Sequence, residues 1–327
     1  MSLLPDELSG RRAYKHSIEQ NMSRSLVEIT EDLLQSLPIP RPDEHGDKEE
    51  RGRLFVVGGS PEMPGSIILA AMAALRAGAG KVQIATCSSI APSVAGSLLE
   101  GRVFAMPETP AGGIAPDATE AILERASQAD AVLVGPGMTD KESTAVLVKQ
   151  IMSDLKGIPL VLDAGALAAL NAANPDDASV REHVILTPHR QEMAALLKCE
   201  AEMIASDPFG AAEKAVKKFK VNVLLKGAET LLALTDGRCY LHHGGNMGLA
   251  TGGSGDTLAG LMGGLLARGA SPDRAAVWAV YIHARAGERL ARRIGPLGFL
   301  ARELPAEFPT LLKELDAHKP IKPGAEH

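Results

Sequence analysis

From Arg53 onward, short runs that are apolar at nearly every position alternate with longer stretches in which alanine and leucine recur at helical spacing. The apolar runs are LFVVGG (54–59), KVQIAT (81–86), AVLVGPG (131–137), PLVLDAG (159–165), HVILTPH (183–189) and VNVLLKG (221–227). Strands without polar alternation are buried on both faces, as in parallel sheets. Helical stretches follow the first, third and fifth runs, the first of them SIILAAMAALRAG. This alternation predicts right-handed βαβ units in an open sheet covered on both faces. Two further runs, TLLALT (230–235) and RCYLHH (238–243), are joined by Asp236-Gly237, a hairpin dipeptide. An α/β fold with a mostly parallel central sheet and an antiparallel edge is therefore expected. Three helices close the chain, starting near residues 254, 272 and 301.

The first 50 residues are polar and broken by Pro38, Pro40 and Pro42, with one short helix expected within 29–37. They are assigned as an N-terminal extension. With no linker after them, residues 51–320 are expected to form one domain. Aromatic residues make up only 3% of the 327 residues, so the core must be built from Ala, Leu, Val, Ile and Met. A net charge of −6 argues against a nucleic-acid surface. Cys87, Cys199 and Cys239 lie far apart with no CxxC, which speaks against a disulfide framework or a zinc site and for a reducing compartment. The opening MSLLPDELSGRR has acids and a proline where a signal peptide needs an apolar core. Runs such as IILAAMAAL (67–75) fall short of the roughly 20 residues of a membrane span. A cytoplasmic protein without membrane or nucleic-acid partners is expected.

Ligands of open α/β sheets bind beyond the carboxyl ends of the strands. Here those ends read GGS (58–60), GPG (135–137), DAG (163–165), TPH (187–189) and KG (226–227), each glycine-rich or carrying a polar group on an apolar run. Downstream, TGGSGD (251–256) opens a helix with small residues followed by one acid. Small residues let successive backbone amides turn inward, and the helix adds its positive end, which together suit a phosphoryl group. Asp256 either complements the helix dipole, with Ser254 as cap, or acts as a general base on a hydroxyl attacking that phosphoryl group. A carboxylate beside a phosphate cradle is electrostatically awkward without such a task.

Other positions keep two readings each. Lys226 contacts nucleotide phosphate or ribose, or is a lysine snorkelling from a strand exit. His189 touches substrate or caps its loop. Asp163 bonds a ligand or a metal-linked water, or caps the next helix. His242 and His243 read as solvated side chains and not metal ligands. No protein metal site is expected. GxxxxGK[ST], HExxH and GxSxG are absent, and no GxGxxG follows a strand, so P-loop, zinc-peptidase, serine-hydrolase and classical dinucleotide-dehydrogenase readings have no support.

The chain resembles the NAD(P)H-hydrate dehydratase family of the ribokinase-like superfamily over about residues 29–316. Six segments carry the resemblance in order and spacing: 52–86, VLVGPGM (132–138), PLVLDAGAL (159–167), VILTPHRQEMAALL (184–197), VLLKGAETLLA (223–233) and GNMGLATGGSGDTLAGLMGGLLARG (245–269). The resemblance implies a ribokinase-like three-layer α/β/α fold. It also implies repair of the hydrated cofactors NADHX and NADPHX, with ADP or ATP phosphorylating the ring hydroxyl and loss of phosphate restoring the double bond. Carried over by position, Asp256 is the catalytic base and a substrate contact, and Gly253, Ser254 and Gly255 form the anion hole. Gly255 also touches the nucleotide. Lys226, Gly227, Ala228, Glu229 and Thr230 match the nucleotide-binding segment, and Gly137 and His189 match substrate contacts.

The resemblance further implies Mg²⁺ brought with the nucleotide, a homotetramer, and a separate epimerase as functional partner, since 50 residues are too few for a fused one. Two segments depart from the family pattern. Lys48-Glu49-Glu50-Arg51-Gly52 replaces a Lys-Gly pair, and Arg190-Gln191-Glu192 follows TPH where Pro-Gly-Glu is usual. The competing readings are a kinase of the same fold acting on a hydroxymethyl vitamin precursor, and a nucleotide-sensing module without turnover. An intact Asp256 speaks against the sensor, which needs the cradle but no base.

Overall fold

The computed structural model describes residues 26–41, 51–171 and 181–317. Ten strands are present: β1 (Leu26–Glu28), β2 (Arg53–Val57), β3 (Lys81–Cys87), β4 (Arg102–Met106), β5 (Ala131–Val134), β6 (Leu160–Leu162), β7 (Arg181–Leu186), β8 (Val221–Leu225), β9 (Thr230–Ala233) and β10 (Cys239–His242). They form one sheet in the order β1-β10-β9-β8-β7-β6-β5-β2-β3-β4. All neighbours from β8 to β4 are parallel, whereas β9 runs antiparallel to both β8 and β10. β2, β5, β6 and β8 are buried along almost their whole length, as uninterrupted apolar runs require.

The helices are α1 (Glu31–Ser36), α2 (Pro64–Arg76), α3 (Ala91–Ser97), α4 (Thr119–Ala126), α5 (Lys141–Asp154), α6 (Gly165–Ala169), α7 (Arg190–Leu197), α8 (Ala201–Ser206), α9 (Pro208–Phe219), α10 (Ser254–Ala267), α11 (Pro272–Arg293) and α12 (Leu304–Ala317). α2, α10, α11 and α12 pack on one another as one layer, and α4 to α9 line the other side of the sheet. The glycines of α10 serve this packing. A Cβ on Gly260 would lie 2.0 Å from the carbonyl oxygen of Ala70, and one on Gly264 2.7 Å from that of Ala74. The backbones of α2 and α10 therefore touch, and no larger residue fits between them. Among the described residues no helix is long and apolar enough to cross a membrane.

Two elements were not legible. β1 pairs parallel with β10 outside the antiparallel strands, and β4 closes the opposite edge with charged and half-exposed positions. Residues 26–41 are also part of the fold and not a mere extension. Trp278 donates its indole N–H to Leu37 O at 2.7 Å, Arg274 reaches Pro38 O and Arg268 reaches Pro40 O, both at 3.0 Å. The prolines that made this stretch look like a tail leave its carbonyls free for those side chains. The rest of the expected extension, 1–25 and 42–50, lies outside the described residues.

Candidate active site

The carboxyl ends of β2, β5, β6, β7 and β8 open on one side, and their loops pack backbone against backbone. A Cβ on Gly58 would fall 2.3 Å from Pro136 O, and one on Gly135 1.8 Å from Asp163 O. Gly135 also holds φ +123°, which L side chains avoid. The next loop carries an unusual residue: Ala164, at φ 46° and ψ −118°, sits where only glycine is at ease. Such a conformation costs on the order of 1–3 kcal/mol and persists only when its surroundings impose it. Here it turns the chain from β6 into α6 and leaves Asp163 facing its neighbours on β7 and β8.

Asp163 is 2% exposed. Its Oδ1 accepts from Lys226 Nζ at 2.7 Å and from Thr187 Oγ1 at 2.6 Å. Lys226 follows β8, where its backbone N–H donates to Pro188 O at 2.8 Å. Burial disfavours its charge, but Asp163, Glu192 and Asp256 outweigh burial and raise its pKa. It is a half-buried ammonium, 18% exposed and held by Asp163, not a snorkelling lysine, and Asp163 is its partner and not a helix cap. The ammonium also lies against α10, 3.3 Å from where a Cβ of Gly255 would be. TPH (187–189) and TGGSGD (251–256) therefore meet on the same side of the sheet.

Gly253, at φ +88°, is the N-cap of α10. No side chain caps the helix, so Ser254 is not the cap; the Ser254 amide makes a long bond of 3.3 Å to Thr251 O. Asp256 is half-buried in that first turn. Burial, and then the negative charge of Asp163, push its carboxyl up from 3.8 to about 6, against a hydrogen bond from Ser66 and the pull of Lys226. Complementing the dipole would have lowered it. Ser66, on α2, had no signal in the sequence; Gly137 brings the β5 loop onto it, a Cβ there falling 3.1 Å from Ser66 Cβ.

Among the flanking candidates, His189 caps α7: its Nδ1 accepts from Gln191 N at 3.1 Å and Glu192 N at 3.2 Å. Glu192 closes the capping box by accepting from His189 N at 2.8 Å. The ring proton is thereby confined to Nε2, on a half-exposed side chain at the rim. Gly227, Ala228 and Glu229 form the turn from β8 to β9, which Thr230 begins. Glu229 holds His243 through Oε1 and Nδ1 at 2.7 Å, so His243 is exposed but paired. His242 is not solvated. It is 6% exposed, its Nδ1 donates to Ile29 O at 3.2 Å, and its ring meets Tyr281 edge-on; the unforeseen β1 segment covers it. Cys87 stays a thiol, pushed up to about 11 by burial and by Glu108.

No three His, Cys, Asp or Glu side chains gather as a metal cage among the described residues. With Asp163 committed to Lys226, a cation here would depend on phosphate oxygens for most of its ligands. The arrangement comprises a helix start without a side-chain cap, a half-buried ammonium and a carboxyl of raised basicity, which together suit transfer of a phosphoryl group to a hydroxyl.

Residues 54–310 match the family model described as NAD(P)H-hydrate dehydratase. The ADP-dependent (S)-NAD(P)H-hydrate dehydratase of Xanthomonas campestris is 44% identical over 287 residues, 88% of this chain and 96% of that protein. The bifunctional NAD(P)H-hydrate repair enzyme of Moorella thermoacetica is 39% identical, over 85% of this chain but 52% of its own length. The chain thus spans about half of that longer relative. Among solved structures, the ADP/ATP-dependent NAD(P)H-hydrate dehydratase of Bacillus subtilis, co-crystallised with ATP and Mg²⁺, superposes with a TM-score of 0.73 at 27% identity, covering 89% of this chain and 99% of that one.

Proposed function

The chain belongs to the NAD(P)H-hydrate dehydratase family, and from that premise we propose that it returns NADHX and NADPHX to NADH and NADPH using ADP or ATP. The observation that carries the reading is the Asp256 carboxyl, in the first turn of α10 beside the Lys226–Asp163 ion pair and raised to about 6. A group with that pKa is ionised at neutral pH yet basic enough to take a proton, which is the compromise general-base catalysis favours.

In the proposed reaction the amides of Gly253, Ser254 and Gly255 face the terminal phosphoryl group, and the Lys226 ammonium neutralises charge on the phosphates. Asp256 accepts the proton of the nicotinamide-ring hydroxyl as its oxygen bonds to phosphorus and the bridging P–O bond breaks. AMP leaves from ADP, or ADP leaves from ATP. The ring C–O bond then breaks, inorganic phosphate departs and a ring proton is lost, restoring the double bond. The Lys226–Thr230 turn would receive the nucleotide, and Gly137 and His189 would meet the hydrated dinucleotide. Mg²⁺ carried in on the nucleotide would screen the charge of its phosphates. A homotetramer and a separate epimerase belong to the same proposal.

A kinase of the same fold would stop at the phosphoester, and a sensor would have no use for a carboxylate tuned to about 6. The test is incubation with NADHX and each nucleotide, following the near-ultraviolet absorbance of the dihydronicotinamide. Absorbance should return only when ADP or ATP is present; return without nucleotide, or none with either, would refute the proposal.

A further inference from the structure

One buried polar group behind the site has no place in the chemistry above. His283, in the middle of α11, is 8% exposed. Its Nε2 lies 3.0 Å from the carbonyl oxygen of Ser254, 3.2 Å from Ser254 Oγ and 3.3 Å from Thr257 Oγ1. Three oxygens of the first turn of α10 thus converge on one ring nitrogen of the neighbouring helix.

Proton positions follow from what each partner can do. A carbonyl oxygen only accepts, so Nε2 must carry the hydrogen to stand 3.0 Å from it. The ring is neutral in use, because burial pushes its pKa down to about 4 even though the Ser254 carbonyl favours the charged form. A neutral imidazole protonated at Nε2 has no lone pair there. The Thr257 hydroxyl is committed as a donor to Ser254 O at 2.8 Å. Ser254 Oγ can therefore face His283 only as an acceptor, and its own hydrogen must point elsewhere. Had Nε2 been the bare nitrogen, it would have drawn that hydrogen inward.

We propose that His283 is a positioning residue that clamps the first turn of α10 from behind and keeps the Ser254 hydroxyl hydrogen free to be donated to the transferred phosphoryl group. This rests on the reading that the first turn of α10 is an anion hole. Sequence alone offered no hint of it: a histidine on the buried face of a long helix reads as core. The side chain lies behind α10, against Ser254 and Thr257, and acts through Ser254.

Two variants and a double-mutant cycle test it. His283→Leu fills the space but removes the donor, and His283→Gln places an amide N–H close to the position of Nε2. With Leu, kcat should fall about 10²-fold, the loss typical of one anion-hole donor, with little change in KM for NADHX. With Gln, kcat should recover to within about tenfold of the parent enzyme. Because His283 acts through Ser254, Ser254→Ala should add little to His283→Leu.

A second readout needs no hydrated cofactor. The extra affinity for the leaving nucleotide (AMP where ADP is the donor, ADP where ATP is) conferred by aluminium fluoride, a mimic of the phosphoryl group in flight, should drop in His283→Leu while affinity for that nucleotide alone holds. This separates failure of the inference from failure of the substrate assignment. Folded His283→Gln as slow as a folded His283→Leu, additive losses with Ser254→Ala, or unchanged aluminium fluoride affinity in a merely less stable His283→Leu would each overturn the proposal.

Discussion

Replacing Asp256 by asparagine should make the protein more stable and less active at once, and the size of both effects follows from the site. Burial and the charge of Asp163 lift the carboxyl from 3.8 to about 6. At about 1.4 kcal/mol per pKa unit, this penalises the ionised carboxylate in the folded state by about 3 kcal/mol. The sign is that of an acid whose folded pKa is raised. The penalty is absent below pH 3.8, grows between there and about 6, and is complete above. Asparagine can still accept the Ser66 hydrogen bond, but it forfeits the favourable meeting of a negative charge with the helix start, worth about 0.3–1 kcal/mol. The net expectation is a gain of about 2 kcal/mol at pH 8 and none at pH 3.5. Urea unfolding of parent and variant at those two pH values measures it directly. Turnover of NADHX by the same variant should fall about 10²–10⁴-fold with the general base gone. An Asp256→Asn protein no more stable than the parent at pH 8 would refute the account of why this carboxyl is basic. One that still turned over within tenfold would refute its role.

Other consequences are read by simpler assays. Asp163→Asn leaves the Lys226 ammonium without its partner, which should lower stability by about 3 kcal/mol. By removing the negative charge beside Asp256, it should also move the acid limb of the kcat profile from near 6 toward lower pH; a limb that stays put contradicts the coupling. Ala164→Gly should raise the urea midpoint, since relief of about 1–3 kcal/mol of strain exceeds the roughly 0.4–1 kcal/mol that glycine adds to the unfolded chain's entropy. A lower midpoint would mean that Ala164 is not strained. Gly260→Ala puts a methyl 2.0 Å from Ala70 O, so separating α2 from α10 should cost at least about 1–3 kcal/mol; an unchanged midpoint would contradict that packing.

Much of this could be read from residues because the signals were local. Buried parallel strands announce themselves as unbroken apolar runs, and the loops at their ends keep glycine where backbones touch, as Gly58 and Gly135 do. Long-range pairing was not legible. Leu26–Glu28 is too short and too polar to stand out, yet it finds β10 across more than two hundred residues and buries His242 on the way. Within the site, Asp256 and Lys226 stood out because acids and lysines are rare on apolar runs. What each side chain faces had to come from the fold: Asp163 holding Lys226, Ser66 reaching Asp256, and His283 behind Ser254. One departure from the family pattern also changes sense in three dimensions. His189 and Glu192 still close a capping box although Arg190-Gln191 stands between them, so the unusual loop keeps the geometry its residues share.

Phosphoryl transfer at this site is expected to end in elimination and not in a stable phosphoester. Phosphate release and dihydronicotinamide absorbance followed together in one reaction, with limiting NADHX and excess ADP, test this most directly. One inorganic phosphate should be released for every NADH regained, with AMP formed in the same amount. Consumption of ADP with a phosphorylated dinucleotide accumulating and no return of absorbance would contradict it and make the protein a kinase.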